Sequence, residues 1–256
     1  MKFGPIPTAE AEGSILAHSQ PLSTGKLSKG HLLQAADTAR LTAEGISTVI
    51  ACRLDPGDLT EDEAAERLSA AIQPKGLSRS PASTGRVNFY ASENGLFLAD
   101  RAVVDRFNAV DPDITLACLS DRRDVRAGDL VATIKIIPLA VSGPSVAAAA
   151  AILEQAYAFE VAPYRAHRVH LIATQLPSLK PSVMEKTARV LEARLMPSAS
   201  RLVSERRVAH RAEAVAEALR AALEETQPER DAPPLIVVFG ASAVADQEDV
   251  IPSAIR

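Results

Sequence analysis

The stretch Leu235-Ile-Val-Val-Phe-Gly-Ala-Ser-Ala-Val-Ala-Asp-Gln-Glu-Asp-Val-Ile-Pro-Ser-Ala-Ile255 decides how the second half of the chain is read. Five apolar residues, Leu235 to Phe239, have the composition of a buried parallel strand. Gly240, Ala241, Ser242 and Ala243 then form a turn of small residues whose backbone a ligand can approach closely. Asp246, Glu248 and Asp249 follow, with Asp249 at the N-cap of a new helix and Pro252 in its first turn. A strand, a small-residue loop and a helix N-terminus make an anion cradle in α/β proteins.

Working back from this segment, strands and helices alternate: strand Val169–Ala173, a loop from Thr174 to Lys180, helix Pro181–Leu195, strand Ser200–Val203, helix Arg211–Glu224 and a polar loop, 226–233, before the last strand. That order implies a parallel sheet with right-handed crossovers and ligands beyond the carboxyl ends of its strands. Upstream, to about Val141, short strands mix with helices. Thr60-Glu-Asp-Glu63 is a capping box opening a helix, and Arg86–Tyr90 with Leu96–Leu98 reads as a hairpin around Glu93-Asn-Gly95. The expected fold class is therefore α/β, in three parts: a mixed α+β domain over 1–143, a linking helix over 144–164, and an α/β domain with a mainly parallel sheet over 165–256. The helix begun near Val250 runs only a few residues to Arg256, so the last domain is expected to be truncated at its C-terminal end.

Composition narrows the function. The 256 residues carry a net charge of −4, 4% aromatic residues and no Trp, which argues against nucleic acid and against an anionic membrane surface. The longest apolar run, Val146 to Leu153, is too short to span a bilayer, and Met1 to Pro7 lacks the apolar run of a signal peptide. Cys52 and Cys118 form no motif and fit reduced residues of a cytoplasmic protein. His167 and His170, three apart on a strand, point to opposite faces and make no metal pair. Glu205 to His210 reads as a solvated loop, and Lys135, within an apolar strand, is expected to snorkel or to pair with an acid.

With these segments in view, the C-terminal region resembles the molybdopterin-binding domain shared by molybdopterin adenylyltransferases and molybdotransferases. Gly240–Ala243 stands for the family's glycine-rich loop, Asp249-Val250 for its helix-opening acid, and Thr174-Gln-Leu-Pro177 with Glu185-Lys-Thr187 for an earlier motif. Met1–Pro5, Thr84–Asn88, Ala132–Pro138 and Phe239–Ala243 extend the likeness to the N-terminal half of bacterial proteins that join such a region to a nucleotidyltransferase-like one. The resemblance implies a three-layer α/β domain and a cytoplasmic homo-oligomer acting in molybdenum cofactor biosynthesis. It implies molybdopterin as ligand or substrate, other cofactor-biosynthesis proteins or a nucleotidyltransferase region as partners, and Mg where chemistry occurs. Thr174, Lys186, Gly240, Ala241, Ser242 and Ala243 would hold the pterin and its phosphate, and Asp249 would be the catalytic or metal-binding acid. The departures are Ala241 and Ala243 where the family has Gly, and Thr174–Pro177 without a carboxylate. A Mg-dependent transferase and a non-catalytic assembly module with a vestigial pocket are the competing readings.

Overall fold

The structure, a computed structural model, describes residues 1–225 and 234–256, and the polar loop expected over 226–233 lies outside the described residues. The chain divides into two compact units, Met1–Ala162 and Pro163–Arg256.

The first unit begins with β1 (Lys2–Pro7), β2 (Ser14–Leu16), β3 (Gln20–Leu22), β4 (Gly25–Leu27), α1 (Ala35–Ala43) and β5 (Thr48–Arg53). It continues through β6 (Asp58–Thr60), α2 (Glu61–Ala70), β7 (Leu77–Arg79), β8 (Arg86–Ala91), β9 (Gly95–Ala99) and α3 (Arg101–Asn108). It closes with β10 (Ile114–Cys118), β11 (Arg123–Val125), β12 (Leu130–Ile136), β13 (Ala140–Ser142), α4 (Gly143–Gln155) and β14 (Phe159–Pro163). These strands form small sheets: β1-β5-β2 and β10-β12-β8-β7, both antiparallel, β11-β9-β14, and the ribbons β13-β6 and β3-β4.

Local chemistry sets several of these elements. α2 starts where the sequence places it, because Thr60 Oγ1 accepts the Glu63 N–H at 3.3 Å and Glu63 Oε2 accepts the Thr60 N–H at 3.0 Å. The expected hairpin between β8 and β9 does not form. β8 pairs with β7 and β12, whereas β9 pairs with β11 and β14. The reason is Gly95. A Cβ there would lie 2.3 Å from the Ala162 carbonyl oxygen, so the glycine admits close approach of β14 rather than making a turn. Gly76, at φ +67°, is pressed in the same way on the Val161 carbonyl, again 2.3 Å from the missing Cβ. The helix expected to link two domains is α4, and it packs inside the first unit, with Val146, Ala149, Ala150 and Leu153 in the main core. That core centres on Phe159, whose ring meets Phe89 edge-on at 5.3 Å and Phe97 at 5.8 Å.

The second unit is β15 (Arg168–Gln175), α5 (Pro181–Leu195), β16 (Arg201–Ala209), α6 (Ala212–Glu224), β17 (Leu235–Phe239) and α7 (Val250–Ile255). Its strands lie in the order β16-β15-β17, all parallel. Among the described residues the architecture is mixed α/β with small, mostly antiparallel sheets, and the parallel pairing of β16-β15-β17 is where the expected parallel sheet is found. β15 is central and buried on both faces. Val169, Leu171 and Ala173 pack on Met184, Ala188, Leu191 and Leu195 of α5, a helical stripe. The alternate residues face the other way, where His170 bonds Ser204 Oγ at 2.8 Å and lies 3.9 Å from Glu225 at the end of α6. Burial pushes the His170 imidazole below its ordinary range; Glu225 opposes this, and Arg206 and Arg168 reinforce it.

Two outcomes follow. Phe159→Ala should cost about 3–5 kcal/mol in chemical denaturation, whereas Phe3→Ala at a 62% exposed site should stay within roughly 0.5 kcal/mol. Because the folded state resists protonating His170 while the unfolded chain does not, stability should fall as pH drops below about 6.5. His170→Gln should flatten that decline, and an equal slope in both proteins would rule out this source.

Candidate functional site

The carboxyl ends of β15, β16 and β17 bring together residues far apart in sequence. Thr174, the penultimate residue of the central strand, is 1% exposed. Its Oγ1 accepts the Ala241 N–H at 2.7 Å and lies 2.9 Å from His210 Nδ1. His210 immediately follows β16, anchored by its N–H to the Gln175 carbonyl at 3.1 Å. Its Nε2 lies 3.0 Å from Ser242 Oγ. One chain of hydrogen bonds therefore links the ends of all three strands.

The direction of that chain follows from burial. The Thr174 oxygen already accepts from Ala241, so its hydroxyl proton needs an acceptor, and His210 Nδ1 provides it. The imidazole then carries its proton on Nε2 and donates to Ser242 Oγ. In this tautomer His210 cannot take a proton from Ser242, so the serine is not an activated nucleophile. Instead the exposed Ser242 turns its own O–H outward. Beside it, the N–H groups of Ser242 and Ala243 make no hydrogen bond among the described residues. The cluster presents donors, which suits an anion.

The other expected residues fall as follows. Gly240 is small for a packing reason: a Cβ would lie 2.7 Å from Ile251 Cδ1 and 2.9 Å from the Ser242 carbonyl. The Ala241 N–H is held by Thr174 and faces no ligand. Asp249 stands at the N-cap of α7, but its carboxylate accepts the backbone N–H groups of Ala245 and, at 3.1 Å, Asp246. Those two bonds hold it below the usual carboxylate range, with His210 adding a smaller effect. Asp246 in turn accepts the Glu248 N–H at 2.8 Å. These acids order the loop. Among the described residues no group of three or more His, Cys, Asp or Glu side chains is placed to hold a metal. Mg²⁺ favours several oxygen ligands, and one carboxylate engaged by its own backbone does not fit that need. Lys186 lies on α5 in a groove of about 560 Å³ with Val183, Val190 and Phe239, outside the hydrogen-bonded cluster.

His210 is the residue that sequence reasoning missed. Glu205 to His210 was expected to be a loop, yet β16 runs to Ala209. The signal is weak: the half-buried positions of β16 hold Leu202, Ser204, Arg206 and Val208 while Val203 and Ala209 are exposed, so burial alternates along the strand although residue polarity does not. Carrying the strand to its end would have set His210 beside Thr174.

Residues 5–53 match a family described only as a domain of unknown function, DUF8806. No curated protein and no solved structure matches the chain. The matched stretch spans most of β1 through β5 and lies wholly in the first unit. No helix of the described residues is long and apolar enough to cross a membrane.

Thr174→Val keeps the shape but leaves the Ala241 N–H and His210 Nδ1 without their partner, at a cost of roughly 1–3 kcal/mol. Thr174→Ser should recover most of it. Nitrogen-15 spectra of the imidazoles should show His210 protonated on Nε2 in the parent and lose that preference in Thr174→Val. A parent His210 protonated on Nδ1 would reverse the assigned direction.

Proposed function

We propose that residues 163–256 form an anion-binding unit of the molybdopterin-binding kind, acting in molybdenum cofactor biosynthesis or maturation. The observation that carries this reading is the hydrogen-bonded chain from Ala241 through Thr174 and His210 to Ser242, at the carboxyl edge of a parallel sheet. Ligands of open α/β sheets sit at that edge. Helices α5 and α6 on opposite faces of β15 support the three-layer arrangement that the resemblance implies. In this reading the terminal phosphate of molybdopterin accepts from the Ser242 hydroxyl and from the N–H groups of Ser242 and Ala243, while Thr174 and His210 position that serine. The lone, backbone-bound Asp249 favours holding the ligand over transforming it, so transfer chemistry falls to a partner.

The test is a titration of the intact chain with molybdopterin and, as competitor, inorganic phosphate. The double variant His210→Ala/Ser242→Ala should weaken binding by about tenfold or more, since hydrogen bonds to a charged group are worth roughly 1.5–3 kcal/mol. Its circular dichroism should be unchanged. Unaltered affinity in a folded double variant would refute the site. Steady Mg²⁺-dependent adenylyl or molybdate transfer, lost on Asp249→Asn, would establish the transferase reading in its place.

A further inference from the structure

The first unit contains a cleft that this reading does not use. Two adjoining cavities, of about 440 and 250 Å³, share Lys29, Glu61 and Leu139 as common walls. One lobe is apolar, with Phe3, Ile137 and Pro138 among its walls, and Phe3 and Ile137 are themselves 62% and 54% exposed. The other lobe is polar, lined by Thr60, Asp62 and Thr84. At the junction Glu61 is half-buried, and its carboxylate has no hydrogen-bond partner among the described residues. The ammonium of Lys29 has no ion-pair partner there either, although its charge, like that of Lys135, reaches Glu61. Burial first, and then Asp62, push the Glu61 carboxyl above its usual range.

The backbone is shaped around this carboxylate. Thr84 and Gly85 form a tight turn with φ of 50° and 68°, and the left-handed region is unusual for a β-branched residue. Asp62 Oδ1 fixes the turn by accepting the Gly85 N–H at 2.7 Å. A Cβ on Gly85 would lie 2.9 Å from Glu61 Oε2 and 2.9 Å from the Ile136 carbonyl. The glycine therefore lets the turn close on one side of the carboxylate, leaving its other side to the cleft.

We propose that this cleft binds a planar 2-amino-4-oxo-pyrimidine ring, as found in guanine and in pterins. Such a ring carries, side by side, an amino donor, a ring N–H donor and a carbonyl acceptor. Glu61 supplies two acceptor oxygens to the two donors, a bidentate charge-assisted pair, and Lys29 donates to the carbonyl. Phe3, Ile137 and Pro138 give the ring faces an apolar seat. The inference stands independently of the phosphate site at Ser242.

The test titrates the intact chain with 6-hydroxymethylpterin and with guanosine, two sources of the same edge that carry no phosphate. Adenosine, which lacks the edge, and inosine, which lacks the amino group, are the controls. Binding by either or both of the first two, about tenfold or more tighter than adenosine with inosine between, is expected. Whichever of the two binds names the source. Glu61→Gln should lose that preference, because an amide offers one acceptor where the ring needs two. Lys29→Ala, which removes an exposed side chain and keeps the backbone bond to Ser19, should weaken binding as well. His210→Ala/Ser242→Ala should leave ring binding unchanged. Equal binding of adenosine, no binding of either pterin or guanosine, full binding in folded Glu61→Gln and Lys29→Ala, or loss in His210→Ala/Ser242→Ala alone would each overturn the proposal.

Discussion

The second unit turns on one buried hydroxyl. β15 is covered on both faces and paired on both sides, so Thr174 near its end cannot reach water. A buried hydroxyl is costly to leave without partners. Here its partners come from the ends of the two neighbouring strands: His210 after β16 and Ala241 after β17. That requirement fixes the imidazole tautomer, the path of the small-residue loop and the outward aim of the Ser242 hydroxyl. The site is thus built around a satisfied core group rather than a free functional one, and its character as a set of donors follows from that.

The sequence made legible those elements whose boundaries are set locally. The Thr60–Glu63 capping box began α2, and Pro181 with the Met184-Ala188-Leu191-Leu195 stripe marked α5. The apolar run Leu235–Phe239 marked β17. Elements set by distant partners were not legible. Glu93-Asn-Gly95 has the composition of a hairpin turn, yet Gly95 is there because β14 presses on it from sixty-odd residues downstream. α4 reads as a linker because its alanines carry little amphipathic contrast, and only the packed core shows where they belong.

The same division holds at the candidate site. Thr174, Ala241 and Ser242 meet at the carboxyl edge of a parallel sheet, the edge that strand–loop–helix order specifies. The roles within it were less legible. Gly240 was read as room for a ligand and proves to be room for Ile251. Asp249 was expected as the N-cap and as the catalytic or metal-binding acid, and its carboxylate is tied to the backbone of its own loop. Lys135, expected to snorkel or to pair with an acid, makes a small electrostatic contribution at Glu61. In each case the residue type carried part of the message, and the packing around it carried the rest.

The two glycines that press on β14 bear on how the protein is made. Gly76 and Gly95 are shaped to receive Val161 and Ala162, and Phe159 completes the aromatic cluster with Phe89 and Phe97. All the residues they receive belong to the last strand before the break at Pro163. On the ribosome, a nascent chain that has emerged only through α4 therefore holds the smaller clusters around Leu16 and Leu41 but lacks the strand that completes its main core. Its glycine notches and aromatic rings stay open to water until β14 leaves the exit tunnel. The first unit thus becomes a finished folding unit only when its final strand arrives, and until then its exposed apolar surface is what a chaperone would meet.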